Sequence, residues 1–417
     1  MELSRFSIGT GDRFGRQGVA QLRALEQAAE AGIAVTPVWN KSFREHSIIG
    51  TSPRDTRAAA DAAVRAAGWN KPYRVDADHI NLKNVDGFID SCDFFTIDVA
   101  ESIGAPASDA ARAAFTNACR PLLGTHQLSG IDKPFVIDEP AVKRIAARYA
   151  AACAEAARIF RHVHARNPGG FITEVSMDEC ADPQTPLELL MILAALAAHK
   201  VPAQTIAPKF TGRFNKGVDY AGDVAQFARE FSDDVAVAAY AVKAFGLPDS
   251  LKLSVHSGSD KFSLYPHIKQ RLGNTGAGVH LKTAGTTWLE EITGLAEAGG
   301  DGLVIAKEVY TKALGRFDEL CKPYATVIDI DRAKLPAPAV VQRWTAGQFV
   351  AAVAHEPGCV GFNANVRQLL HVGYKVAAEM GARFLDALAA NEAVIGRRVT
   401  DNLYRKHLLS VFPKRQD

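Results

Sequence analysis

The sequence predicts an α/β fold of the TIM-barrel type: a (β/α)8 barrel with an insertion after its fourth strand and a helical C-terminal extension. Three observations predict it. Short apolar, β-rich runs alternate with helical stretches, as in a parallel sheet covered by helices. The runs number eight, which is the count that closes a barrel. Polar, chemistry-bearing residues recur at the C-terminal end of one run after another, and at 417 residues the chain can bury one large core.

The expected strands are residues 6–9, 34–39, 73–77, 94–99, 171–175, 204–207, 251–255 and 279–281. Several lead into amphipathic helices, the first over residues 17–31. Residues 100 to about 170 are too long for a simple crossover and form the insertion, ending in an alanine-rich helix over 139–166. The nearly uncharged run 187–198 is about half of what a bilayer needs and reads as a buried helix. A ninth run, 302–306, is either an added strand or a replacement for one of the eight. Beyond Tyr310 the pattern is mostly helical, apart from residues 326–328 and the Pro336-Ala337-Pro338 break. Residues 1–310 are therefore expected to be the catalytic barrel, and 311–417 a helical layer packed on it.

Composition narrows the function. The 48 Lys+Arg nearly cancel the 46 Asp+Glu, so the basic excess of a nucleic-acid binder is missing. Hydrophobic residues at 47% and charged residues at 23% suit a folded chain rather than a disordered one. Met1-Glu2-Leu3-Ser4-Arg5 has no secretory apolar segment. The expectation is a cytoplasmic small-molecule protein with no nucleic-acid or membrane partner; a homo-oligomer is left open. The six cysteines have no pair closer than 27 residues (92 to 119), which excludes CxxC knuckles and predicts reduced, mostly buried thiols.

Two motifs mislead. Gly9-Thr10-Gly11-Asp12-Arg13-Phe14-Gly15 follows a strand, but its spacing is GxGxxxG, and the second strand ends in Trp39-Asn40-Lys41 without the acidic ribose ligand. No nucleotide cofactor is expected; the loop instead should set Asp12 and Arg13 over the barrel mouth. His162 and His164 lie two apart on a helix, about 200° around it, and cannot converge on one ion.

Active sites of such barrels gather at the C-terminal ends of the strands. That rule collects Asp76, Asp78 and His79, then Asp98, Glu174, Lys209, the run His256-Ser257-Gly258-Ser259-Asp260-Lys261, and His280 with Lys282. Three histidines suggest a divalent ion (Zn, Mn, Fe or Ni) on His79, His256 and His280, with Glu174 as substitute or fourth ligand. Asp78, Glu174 and Asp98 are candidate proton carriers, and Lys282 or Lys209 would steady developing oxyanions. Asp12, Arg13, Lys41, Arg44, Ser257, Asp260, Lys261, Thr283 and Arg367 are the substrate-binding candidates. Among these Arg13, Lys41, Arg44 and Arg367 suit a carboxylate, while Arg213 and Lys216 lie in a loop able to act as a lid.

Asp78-His79, followed later by His256-Ser257-Gly258-Ser259, resembles the metal site of class II aldolases. Longer blocks resemble the tagaturonate (tagaturonate/fructuronate) epimerase family. They include Val75-Asp76-Ala77-Asp78-His79-Ile80-Asn81-Leu82-Lys83, Gly212-Arg213-Phe214-Asn215-Lys216-Gly217-Val218-Asp219-Tyr220 and Leu253-Ser254-Val255-His256-Ser257-Gly258-Ser259-Asp260-Lys261-Phe262. His280-Leu281-Lys282-Thr283-Ala284-Gly285-Thr286-Thr287-Trp288 and Arg367-Gln368-Leu369-Leu370-His371-Val372-Gly373-Tyr374-Lys375 extend the likeness almost to the end.

The resemblance implies a metal-dependent C4 epimerase of ketohexuronates, with related forms acting on free ketohexoses. The ligand set above rests on strand position and aldolase-like spacing. A retro-aldol route is expected, since the inventory supplies an ion, a base and oxyanion partners but no nicotinamide site. Other readings are a class II ketose aldolase, an isomerase moving the carbonyl between C1 and C2, and a non-catalytic sugar-binding protein.

Overall fold

The structure, a computed structural model, describes residues 1–356 and 358–414. Eight parallel strands close into a barrel in chain order, numbered here without the small hairpin of the insertion. They are β1 (Phe6–Thr10), β2 (Thr36–Ser42), β3 (Arg74–Ile80), β4 (Phe94–Asp98), β5 (Ile172–Ser176), β6 (Thr205–Ala207), β7 (Lys252–His256) and β8 (Val279–Lys282). The ring closes where Phe6 to Gly9 pair in register with Val279 to Lys282. All eight expected strands form, with ends shifted by up to three residues.

Strand alternation divides the residues by chemistry. Ile8, Val75, Ala77, Phe95, Ile97, Val175, Ile206, Leu253, Val255 and Leu281 join one large core with the surrounding helices. At the start of the barrel, Leu3, Val38, Phe94 and Ile172 form a small apolar plug. Toward the strand ends lie Asp76, Asp78, Thr96, Glu174, Ser254, His280 and Lys282, all buried. The strands read as apolar because one face packs on helices, while the other face carries the polar centre.

The insertion holds helix Asp109–Cys119, a hairpin of Gly124–His126 with Phe135–Ile137, and helix Glu139–Arg166, the long helix predicted over 139–166. Asp138 caps that helix by accepting from the Ala141 N–H at 2.7 Å. At its other end His162 and Arg166 both reach Asp86, each at 2.5 Å, so this histidine ties the insertion to the β3–β4 connection. The apolar run 187–198 falls in helix Pro186–Ala198, which starts with a Thr185/Glu188 capping box. Among the described residues no helix is long and apolar enough to cross a membrane. All six cysteines are free, five of them buried.

The ninth run is not a strand: residues 302–306 lie inside helix Gly300–Gly315. Val304 and Ile305 are β-branched, but the flanking residues continue a helical pattern whose buried side includes Ile305, Ala306, Val309 and Tyr310. Helix Gly285–Ala298 is buried from Gly285 to Ala296 because it is covered twice. It flanks the barrel, and it supplies Trp288, Leu289, Ile292 and Leu295 to a second core with Phe349, Leu369, Tyr374, Phe384 and Ile395. The helical layer thus begins within the last barrel helix. It also returns to the barrel start, where Phe412 meets the ring of Phe6 at 5.2 Å.

Candidate active site

β3 does not run straight to its end. Its pairing with β4 shifts register between Ala77 and Ile80, and His79 adopts a φ of 51°. Strand alternation would send His79 outward after the inward Asp78. The bulge turns it so that both face the mouth, at a backbone cost of about 1–3 kcal/mol for a non-glycine residue with positive φ.

At the mouth, His79 Nδ1 lies 3.4 Å from Asp98 and its Nε2 3.9 Å from Asp78. The His256 ring stands edge-on to it at 5.2 Å. His256 ends β7, with Nε2 2.8 Å from Glu174 Oε1. Its Nδ1 pairs with Asp178 Oδ2 at 3.1 Å, off the line of a well-aligned hydrogen bond. The donor atoms of His79, Asp178 and His256 lie within 4.8 Å of one another; Asp98 and Glu179 make a second grouping with His79. Two donors bound to one ion at about 2.1 Å sit roughly 3.0–3.4 Å apart, so His256 Nδ1 and its carboxylate neighbour fit a shared ion.

Beneath this pair, Lys282 Nζ touches three buried carboxylates: Asp76 at 2.8 Å, Asp78 at 2.8 Å and Glu174 at 3.0 Å. Burial pushes Asp76 up to about 7, with Asp78 and Glu174 adding to the effect against Lys282. For Asp78 and Glu174 burial acts the same way, but Lys282 and the imidazoles prevail and hold both below the usual carboxylate range. Burial alone would lower the histidines; instead Asp178 and Glu174 raise His256 to about 9, and Asp78, Asp98 and Asp178 raise His79 well above its ordinary value. The field therefore favours two added positive charges at these imidazoles, which a divalent cation would supply equally.

The structure redistributes the sequence candidates. His280 does not join His79 and His256. It lies deeper, with Nδ1 2.9 Å from Ser7 Oγ and its ring 5.2 Å from Phe94. Asp178, which sequence reasoning missed, takes its place from the loop after β5; the only signal was the acidic pair Asp178-Glu179 just past a strand end. Glu174 is spent on His256, Lys282, Thr96 and Thr205, so it orients a histidine. Lys282 already has three carboxylate partners and no donor left for an oxyanion, while Lys209 is half-buried and donates to the Cys180 carbonyl.

Several binding candidates hold loops. The Asp12 carboxylate accepts the Arg16 and Gln17 N–H groups at 3.1 and 2.8 Å instead of facing the mouth. Lys41 donates to the Arg13 carbonyl at 2.7 Å, Ser257 to the Lys282 carbonyl at 2.7 Å and Thr283 to the Gly9 carbonyl at 3.3 Å. Arg44 is exposed, 5.7 Å from the Tyr324 ring. Asp260 and Lys261 form no side-chain ion pair among the described residues; of Asp260, the Lys261 ammonium reaches only the backbone carbonyl, at 3.2 Å. Asp260 meets Arg367 at 2.7 Å, His355 at 3.1 Å and His407 at 3.4 Å, while Lys261 donates to the Asn215 and Val218 carbonyls. Arg367 is fully buried and also donates to the Gly217 and Val353 carbonyls at 2.6 Å each, so every one of its three nitrogens already has a partner within the protein. The loop around Arg213 and Lys216 is pinned by Lys216 N–H to Val327, Gly217 N–H to Ser259, and Arg213 to Asp329.

A parallel barrel whose C-terminal rim gathers imidazoles, carboxylates and a lysine defines an α/β-barrel enzyme. A sequence profile described as tagaturonate epimerase matches residues 1–408. A tagaturonate/fructuronate epimerase from Thermotoga maritima is 29% identical over 418 aligned positions, 96% of this chain and 80% of that protein. A glycerol-bound crystal structure of fructuronate-tagaturonate epimerase from Cohnella laeviribosi superposes with a TM-score of 0.82 at 25% identity, over 99% of this chain and 82% of that one. A second, with two glycerols, gives 0.81 at 24% identity. The chain belongs to the tagaturonate epimerase family. It is accordingly a carbohydrate epimerase, an isomerase.

Proposed function

We propose that this enzyme interconverts D-tagaturonate and D-fructuronate by inverting C4, with a divalent ion held by His79, Asp178 and His256. One observation carries the reading: in a chain of this family, donor atoms of His79, Asp178 and His256 lie within 4.8 Å of one another, beside the buried carboxylates Asp78 and Glu174 that Lys282 bridges. Two imidazoles and a carboxylate suit Zn, Mn, Fe or Ni, and a bound ion would polarise the C2 carbonyl as a Lewis acid.

The two sugars differ only at C4, which is β to the ketone, so the ketone does not acidify the C4 hydrogen. Retro-aldol cleavage meets the difficulty. A carboxylate takes the C4 hydroxyl proton, C4 becomes an aldehyde, and the C3–C4 electron pair passes to C3 and the C2 carbonyl. Rotation about C4–C5 presents the other face, the bond re-forms and the proton returns. Asp78 is the better proton carrier: it stands beside His79 at the mouth, is held ionised, and Asn40 and Lys282 fix its direction. Glu174 is fully buried and keeps His256 aligned.

The test is incubation of metal-replete protein with tagaturonate, fructuronate, tagatose and fructose, with and without chelator. C4 epimers should form from the uronates, stop with chelator and return with metal; whether the neutral ketoses react is read from the same assay. Labelled three-carbon aldehyde should exchange into product. Absence of any C4 epimer would overturn the reading, and product without exchange would remove the retro-aldol step.

A further inference from the structure

The barrel mouth has a second polar centre, which the chemistry above does not use, on its β8–β1 side. His371 is 1% exposed, and neither ring nitrogen has a hydrogen-bond partner among the described residues. A buried imidazole with both nitrogens unpaired carries a desolvation cost that a ligand would remove. Arg13 is 6% exposed; its Nε binds Glu45 at 2.8 Å and its guanidinium lies 4.1 Å over the Tyr374 ring, yet Nη1 is also unpaired among the described residues. Lys216 is half-buried, and its ammonium makes no hydrogen bond or ion pair among the described residues.

Arg13 and Lys216 sit on strand-end loops, and His371 comes from helix Ala364–Val372 of the C-terminal layer. A Cβ on Gly285, the first residue of helix Gly285–Ala298, would lie 2.1 Å from His371 Nε2 and 2.5 Å from the Gly258 carbonyl. A Cβ on Gly258 would lie 3.4 Å from Lys216 Nζ. A Cβ on Gly11, two residues before Arg13, would lie 2.3 Å from the Ala284 carbonyl. The helix start adds its positive pole. The charges of Arg13, Lys216, Arg367 and Lys261 act with burial to hold His371 far below the ordinary imidazole value, so the ring is neutral among cations. Of the nearby acids, Glu45 pairs with Arg13, Asp12 with backbone N–H groups and Asp260 with Arg367, while Glu291, buried with neither oxygen paired among the described residues, is driven toward its neutral form by burial.

We propose that Arg13, Lys216 and His371 form the subsite for the substrate's carboxylate and so select ketohexuronates over neutral ketohexoses. A single carboxylate can accept from the free Nη1, the ammonium and a ring N–H together. The position suits it: Gly258, under Lys216, is two residues from His256, at most about 7 Å of chain and within the span of a six-carbon sugar. The proposal rests on the epimerase reading and extends it to the end of the sugar remote from the ion.

The Lys216 ammonium has no hydrogen-bond or ion-pair partner among the described residues, and Met keeps the length of its stem, so Lys216→Met is the sharpest probe. Calorimetric titration with tagaturonate and with tagatose, on wild type, Lys216→Met and Lys216→Arg, measures binding without turnover; epimerase kinetics follow on the same proteins. Lys216→Met should weaken tagaturonate at least tenfold more than tagatose, with the kinetic loss in KM rather than kcat, and Lys216→Arg should restore most of it. Equal weakening of both sugars, or none, overturns the subsite. Wild type that binds tagaturonate in this charge-dependent way but forms no C4 epimer would instead overturn the reaction and leave the subsite standing.

Discussion

Depth inside the barrel decides what an imidazole can do. His280 lies below the mouth, where burial lowers it to about 3, with repulsion from Lys282 adding to the effect and attraction to Glu174 opposing it. Below the ordinary value of about 6.5 the unfolded histidine takes a proton that the folded one refuses until about 3, so stability falls with acid, by about 1.4 kcal/mol per pH unit per proton. Denaturant midpoints between pH 4 and 7 should show that slope, and His280→Asn should remove about one proton's share. At the mouth, Glu174→Gln keeps the shape but loses the charge behind His256; metal affinity or activity should drop by about 10–100-fold, read by metal content and turnover. Asp78→Asn should lower kcat by about 100-fold or more while retaining metal. The rim lysine and carboxylates were legible because strand-end position exposes them in sequence. His280 was read one level too high: it is two residues before the strand's end. Asp178 was hidden in a loop, where no periodicity marks direction.

Among the elements, helix Gly285–Ala298 holds most together, since one side closes the barrel and the other begins the second core. Trp288 is fully buried there, its indole N–H donating to the Leu370 carbonyl at 2.8 Å. Trp288→Ala should cost about 3–5 kcal/mol by leaving a cavity and an unsatisfied carbonyl, measured as a shift of the denaturant midpoint. It should also loosen His371, one residue after Leu370. The eight strands were legible because their outward faces are apolar and mostly β-branched or aromatic, and helix Glu139–Arg166 because its alanines favour helix. The run 302–306 misled because five residues of β-rich pattern cannot be told from one side of a buried helix. The β3 bulge had no sequence mark: a histidine with positive φ looks like any other.

At the scale of the molecule, Asp260 is the knot between barrel and helical layer, joined to Arg367, His355 and His407 from distant parts of the chain. Arg367→Met would leave a buried carboxylate short of its main partner and free the Gly217 and Val353 carbonyls. Stability should fall by about 3–5 kcal/mol, and the KM for uronates should rise as the Lys216 loop loses its anchor, followed by thermal unfolding and kinetics together. The knot was invisible in sequence because Asp260 lies 95 or more residues from each of its partners and shares no pattern with them. The crowded carboxylates around Lys282 carry a last consequence. If the proposed ion binds beside them, folding is tied to cation supply: each tenfold rise in its free concentration above its dissociation constant would add about 1.4 kcal/mol to the folded state. A chelator should then lower the melting temperature, which would serve as a gauge of metal availability.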